Sequence, residues 1–372
     1  MRERENAARA AAAKATFAKS RASQAVLDDL LNGASHQPQS TPMVDPFSRL
    51  VTYLRVSITD RCNLRCSYCM PEDGITWFER EDVLSYDEIL RIIAVGARRG
   101  LKKVRITGGE PLARKGVAGM IHRMTHIQGI TDIALSTNAT LLAEQARELY
   151  AAGLRRVNVS LDSLRRDRQT AITRRDCYDK VWAGVREAER VGINPIKINC
   201  VLMRGVNDDE VVDFARLTLA KPYHIRFIEY MPVNDWEDWR AKYVPMAETR
   251  DRITRELGAL TVVNARGADG AGPAENFRLP GAAGVVGFIT AVSSGSEFCA
   301  SCNRMRLSAD GWLRPCLFSD VGVDFREPLR HGATDADLDA LFDEALAVKP
   351  KDHELAERPE EKMLRNMVNI GG

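Results

Sequence analysis

The chain has 372 residues, enough for one large domain or two ordinary ones around a substantial core. A hydrophobic share of 45% and a charged share of 28% exclude a wholly disordered chain. Lys and Arg at 53 against Asp and Glu at 51 exclude a dedicated nucleic-acid coat, and no apolar run is long enough to cross a bilayer.

Residues 1–35 are rich in Ala, Arg and Lys but offer little to bury, and Glu3 and Glu5 count against a transit peptide. Pro38, Pro42 and Pro46 mark a linker, so residues 1–44 read as a mobile extension. Short apolar runs then recur at 53–58, 104–107, 133–136, 157–161, 196–202 and 225–228. Helical spacing fills most of the gaps, at 86–99, 141–152, 178–191 and 208–219, with Gly100, Gly153 and Gly192 standing where helices should stop. This alternation predicts an α/β fold with a parallel sheet. Six units are countable over 45–264, two short of a full barrel.

From about residue 265 the texture changes, and 265–372 reads as a separate C-terminal segment. A Gly/Ala-rich stretch is followed by β-like runs at 285–292 and 305–307 and a helical stretch at 338–347. The polar residues 349–361 read as a mobile tether leading to the terminal Gly371 and Gly372.

Eight cysteines are informative through their spacing. A disulfide framework is a habit of small secreted domains, so clustered thiols in a chain this large read as metal ligands. Cys62, Cys66 and Cys69 form one group, with three and then two residues between them, in the first loop after a strand. Barrel loops at the carboxyl ends of strands build active sites. Three thiolates there can hold three irons of a [4Fe–4S] cluster and leave the fourth open. Zinc is the alternative, although structural zinc normally takes four ligands and the nearest histidines in sequence are His36 and His122. Cys299, Cys302 and Cys316 form a second group of three. Arg304 and Arg306 lie beside Cys302 on one face of a β-like run, suited to phosphate oxygens. Cys177 and Cys200 fall within the helix and strand pattern and read as buried small hydrophobes.

The first group, with the aromatic Tyr68 before its last cysteine, resembles the signature of the radical S-adenosylmethionine (SAM) superfamily. Gly109 after the second strand, Ser160 ending the fourth and Met231 after the sixth resemble that superfamily's SAM-binding positions. The Gly108-Gly109 pair is expected to let backbone approach a ligand and present amides and carbonyls to it. The second cysteine group with its arginines, the Ile228-Glu229-Tyr230-Met231 run and the Gly-Gly terminus narrow the resemblance to the GTP 3′,8-cyclase family, over about residues 50–320 plus the tail. Peptide-modifying relatives usually carry further cysteines, which are absent after Cys316.

The resemblance implies an incomplete (β/α)6 TIM-type barrel closed by a C-terminal segment carrying a second Fe–S cluster. It implies two [4Fe–4S] clusters, SAM as cosubstrate, and guanine of GTP at the second cluster. Implied GTP contacts are Arg55, Arg105, Ser136, Lys197, Arg304 and Arg306, with Lys103 and Arg226 nearby. Arg304, Arg306, Gly371 and Gly372 would assist catalysis. The implied reaction is removal of the ribose C3′ hydrogen by a 5′-deoxyadenosyl radical, C3′ attack on C8, and completion by one electron and a proton. It opens molybdenum cofactor biosynthesis, with a cyclic pyranopterin monophosphate synthase downstream and a separate electron donor. A cytoplasmic monomer or homodimer with no nucleic-acid or membrane partner is implied. Two positions depart from the family pattern: Ser136 stands where threonine is commoner, and Ala139 replaces a glycine.

Overall fold

Six parallel strands follow one another in chain order: β1 (Tyr53–Ser57), β2 (Lys103–Thr107), β3 (Asp132–Thr137), β4 (Arg156–Ser160), β5 (Ile196–Leu202) and β6 (His224–Glu229). The computed structural model describes residues 41–233, 239–264, 272–353 and 367–371. Helices α1 (Tyr86–Arg98), α2 (Val117–Met124), α3 (Leu142–Ala151), α4 (Arg166–Thr173), α5 (Tyr178–Val191) and α6 (Val211–Ala220) connect the strands. Ser85 and Glu88 close a reciprocal capping box at the start of α1, and Gly192 ends α5 at a φ of 92°. The sequence did not announce α4, because its charged start leaves only Gln169, Ile172 and Thr173 buried. Gln169 holds it in place by accepting from the Asp162 and Ser163 amides at 3.1 and 2.9 Å.

The C-terminal segment does more than cap this barrel. Its strands β9 (Val285–Ile289) and β10 (Arg304–Leu307) extend the sheet at both edges, β9 parallel to β6 and β10 parallel to β1. Antiparallel strands β7 (Thr261–Asn264), β8 (Glu275–Arg278), β11 (Trp312–Arg314) and β12 (Val323–Asp324) complete a 12-stranded sheet whose end strands, β7 and β12, do not meet. The barrel is therefore incomplete, and the sheet runs unbroken across residue 264.

Alternation decides what faces where. Leu54, Val56, Val104, Ile106, Val157, Val159, Ile198 and Phe227 pack outward in one core with the helices. The intervening residues turn inward and are mostly polar, so the barrel holds a site rather than the packed core usual for such a sheet. Met43 is fully buried in the same core, anchoring the chain just before the barrel. Cys177 and Cys200 are buried in it as expected. Among the described residues no helix is long and apolar enough to cross a membrane. The segment also carries α7 (Gly295–Ala300) between β9 and β10, which bears Cys299, and α8 (Asp335–Ala347) after β12.

Candidate active site

A cavity of about 1730 Å³, including its open mouth, occupies the carboxyl ends of the barrel strands. All six clustered cysteines line it. So do Tyr68, Gly109, Ser160 and Met231, and Arg55, Ser136, Arg304 and Arg306. Arg105 and Lys197 lie in the barrel interior but not on the cavity wall: each sits one pleat before a lining residue, Thr107 and Asn199 respectively.

The first cysteine loop hangs on the end of α4. Arg65 and Ser67 donate their amides to the carbonyls of Thr173 and Ile172 at 3.0 and 2.9 Å. Burial pushes the Cys62 thiol up to about 11 and Cys69 up to about 12, and raises Cys66 well above its ordinary value. Thiolates in such a place need a cation bound directly to them, which is what an iron–sulfur cluster provides. In the second group burial lifts Cys299 to about 11 and also raises Cys316. Cys302 differs: burial opposes its ionisation, but Arg304 and then Lys349 outweigh this and bring it down to about 6. Among the described residues no three His, Cys, Asp or Glu side chains close around a single metal ion. In a [4Fe–4S] cluster each thiolate instead takes its own iron.

The Gly108-Gly109 turn lines the cavity and also packs closely against the chain behind it. A Cβ on Gly109 would sit 2.3 Å from the Arg61 carbonyl oxygen, and one on Gly108 2.5 Å from that of Thr59. The Gly109 and Glu110 amides donate to Thr59 and Arg61 at 2.7 and 2.8 Å. These glycines thus pack the turn against the strand end leading to Cys62, and those two amides are already committed. Glu110, fully buried and pushed up to about 7 by burial, accepts from Thr137 Oγ1, Asn138 N and Leu112 N. It joins the loops after β2 and β3. Asp162 accepts from the Tyr68 hydroxyl at 2.9 Å and from the Val201 amide, fixing the cysteine loop's aromatic ring. Glu229 accepts from the Val292 and Ser293 amides at 2.7 and 3.0 Å, fastening the segment that leads to α7 onto the end of β6.

Cations crowd the barrel interior. Arg55 aligns with Arg306 on one side and Arg105 on the other. Burial, reinforced by Arg306, holds Arg55 well below the usual arginine range. Burial and then Arg304 bring Arg306 to about 10; burial and then Arg105 bring Arg226 to about 9. Lys197 falls to about 6 through burial and then Arg226. Among the described residues Arg105 Nε, Arg226 Nε and Arg306 Nη1 are buried nitrogens with no hydrogen-bond partner. A polyanion with several acceptor oxygens would satisfy them and relieve the repulsion. The tail reaches the same place: the Gly371 carbonyl accepts from Arg55 and from Thr107 Oγ1, each at 3.0 Å. Gly372 lies outside the described residues.

The Radical SAM superfamily model matches residues 56–218, and the Molybdenum Cofactor Synthesis C model matches residues 223–355. The GTP 3′,8-cyclase of Pelotomaculum thermopropionicum is 48% identical over 89% of this chain and 100% of its own length. Those of Heliobacterium modesticaldum and Moorella thermoacetica are 47% and 46% identical over the same shares. The chain belongs to the GTP 3′,8-cyclase family. The crystal structure of Streptococcus suis SuiB bound to S-adenosylmethionine shares the radical SAM fold with this cyclase, with a TM-score of 0.55 at 14% identity over 74% of this chain and 64% of that one.

Three residues of this cyclase's site escaped the sequence reading. Asp162 and Glu229 stand inside runs that were recognised, so their carboxyl groups were in view without their partners. Lys349 was placed in a mobile tether, but it is 3% exposed, and residues 349–353 run along the second cysteine group. The rest of that stretch, from residue 354, lies outside the described residues.

Proposed function

We propose that this cyclase converts GTP to (8S)-3′,8-cyclo-7,8-dihydroguanosine 5′-triphosphate in the cavity that both cysteine groups line. The observation that carries the reading is the meeting of two thiol triads and a crowded array of buried cations in one barrel. Cys62, Cys66 and Cys69 supply three ligands to a [4Fe–4S] cluster and leave the fourth iron position to SAM. When bound, that cluster supplies the electron that cleaves SAM and frees the 5′-deoxyadenosyl radical. Tyr68, Gly109, Ser160 and Met231 bind SAM beside it.

Arg55, Arg105, Lys197 and Arg226 receive the triphosphate, with Ser136 contributing its hydroxyl. Cys299, Cys302 and Cys316 hold a second cluster, where Arg304 and Arg306 orient the guanine end of GTP. In GTP, C3′ loses its hydrogen atom, the C3′–C8 bond forms, and one electron with one proton completes the dihydro ring. Fixing the nucleotide at both ends is orientation catalysis, and the enclosing barrel keeps stray hydrogen donors away. The Gly371-Gly372 tail, seated on Arg55 and Thr107, assists after hydrogen abstraction. The reading extends to a cytoplasmic monomer or homodimer fed by a separate low-potential electron donor, with a cyclic pyranopterin monophosphate synthase taking the product.

The test is product analysis after anaerobic reconstitution with iron and sulfide, using GTP, SAM and a strong reductant. Equal amounts of 5′-deoxyadenosine and cyclised nucleotide are expected. SAM cleavage with no GTP-derived product would refute the substrate.

A further inference from the structure

Lys349 follows α8 and is almost completely buried. Its ammonium donates to the Pro315 carbonyl at 2.8 Å and the Arg304 carbonyl at 3.0 Å, and lies 3.7 Å from Cys302 Sγ. It therefore bridges the chain beside Cys302 to the chain beside Cys316. Among the described residues its partners are two carbonyls and a sulfur, with no carboxylate. A buried ammonium without a counter-charge is costly. Three thiolates on a [4Fe–4S]2+ core carry a net charge of −1, and one-electron reduction makes it −2. That anion supplies the missing counter-charge, and the nearby cation favours the reduced form.

We propose that Lys349 is a counter-ion of the second cluster, acting beside Arg304 Nη2 at 3.8 Å from the same sulfur, tying the Cys302 and Cys316 segments together and raising the cluster's reduction potential. This rests on the reading that Cys299, Cys302 and Cys316 hold a cluster. The test uses the full chain carrying Cys62→Ala, Cys66→Ala and Cys69→Ala, so that only the second site can bind iron. Iron content and the midpoint potential, followed by electron paramagnetic resonance, are measured with Lys349 intact and with Lys349→Met. An unloaded background with Lys349 intact would sink the second-cluster reading itself. With that background loaded, Lys349→Met is expected to keep its iron and shift the midpoint to more negative values, and Lys349→Arg to restore it. An unchanged midpoint in Lys349→Met overturns the proposal. If Lys349→Met binds no iron, Lys349→Arg and Lys349→Gln decide. Iron with arginine but not with glutamine supports a charged tie; equal iron content in both overturns it.

Discussion

Lys197 stands in the barrel with its charge suppressed, since burial and Arg226 bring it to about 6. Between that value and its ordinary 10.5 the folded chain binds fewer protons than the unfolded one, so this group makes stability rise with pH across that window. A triphosphate beside it would reverse the balance. GTP binding at pH 7.5 is therefore expected to take up a proton, visible as a dependence of calorimetric heat on buffer ionisation enthalpy. The uptake should vanish below about pH 6 and in Lys197→Met; identical uptake in that variant would remove Lys197 from the phosphate site. Ala139 shows what the sequence could flag but not resolve. The resemblance leads one to expect glycine there, and Ala139 adopts a φ of 61°, a left-handed conformation that costs a side-chain-bearing residue roughly 1–2 kcal/mol. The six clustered cysteines were legible because their spacing is local. Lys349 was not, because a lone lysine in a polar stretch gains meaning only from Cys302 and Pro315, far away in sequence.

The barrel strands were readable as elements because outward apolar residues alternate with inward ones. The helix α4 and the hairpin of β7 and β8 were not, since one has little apolar face and the other is half solvated. The loop before β1 and the strap after α8 also meet as elements. Arg49 pairs with Asp45 at 2.5 Å and donates to the carbonyls of Cys299, Pro350 and Lys351 at 3.0, 2.6 and 2.7 Å. Both partners of the ion pair are buried. Arg49→Ala would leave the buried Asp45 carboxylate without its cation and take one donor from each of three carbonyls, at a cost of about 3–5 kcal/mol. Limited proteolysis should then cut faster around the strap while SAM binding persists. Equal cleavage rates in the two proteins would show that the clasp carries no load.

At the scale of the molecule, the C-terminal strands β9 and β10 make the C-terminal segment part of the barrel wall, so the second cysteine group shares the first group's cavity. Radical generation and nucleotide placement can then be separated by mutation. Cys316→Ala should leave reductive SAM cleavage largely intact while cyclised product falls by about 100-fold or more, because the nucleotide loses its fixed position. Parallel losses of 5′-deoxyadenosine and of cyclised product would contradict that division of labour.

The clasp between Arg49 and residues 299, 350 and 351 also dictates a sequence of events during biosynthesis. A ribosome releases the amino end first, and the partners that hold the loop bearing Cys62, from the Gly109 turn through Asn138 and Asp162 to the end of α4, all lie in the first half of the chain. Residues 349–351 emerge much later. A cluster on the second triad would thus be delivered to a nearly finished polypeptide, whereas the loop of the first triad can settle while translation is still under way.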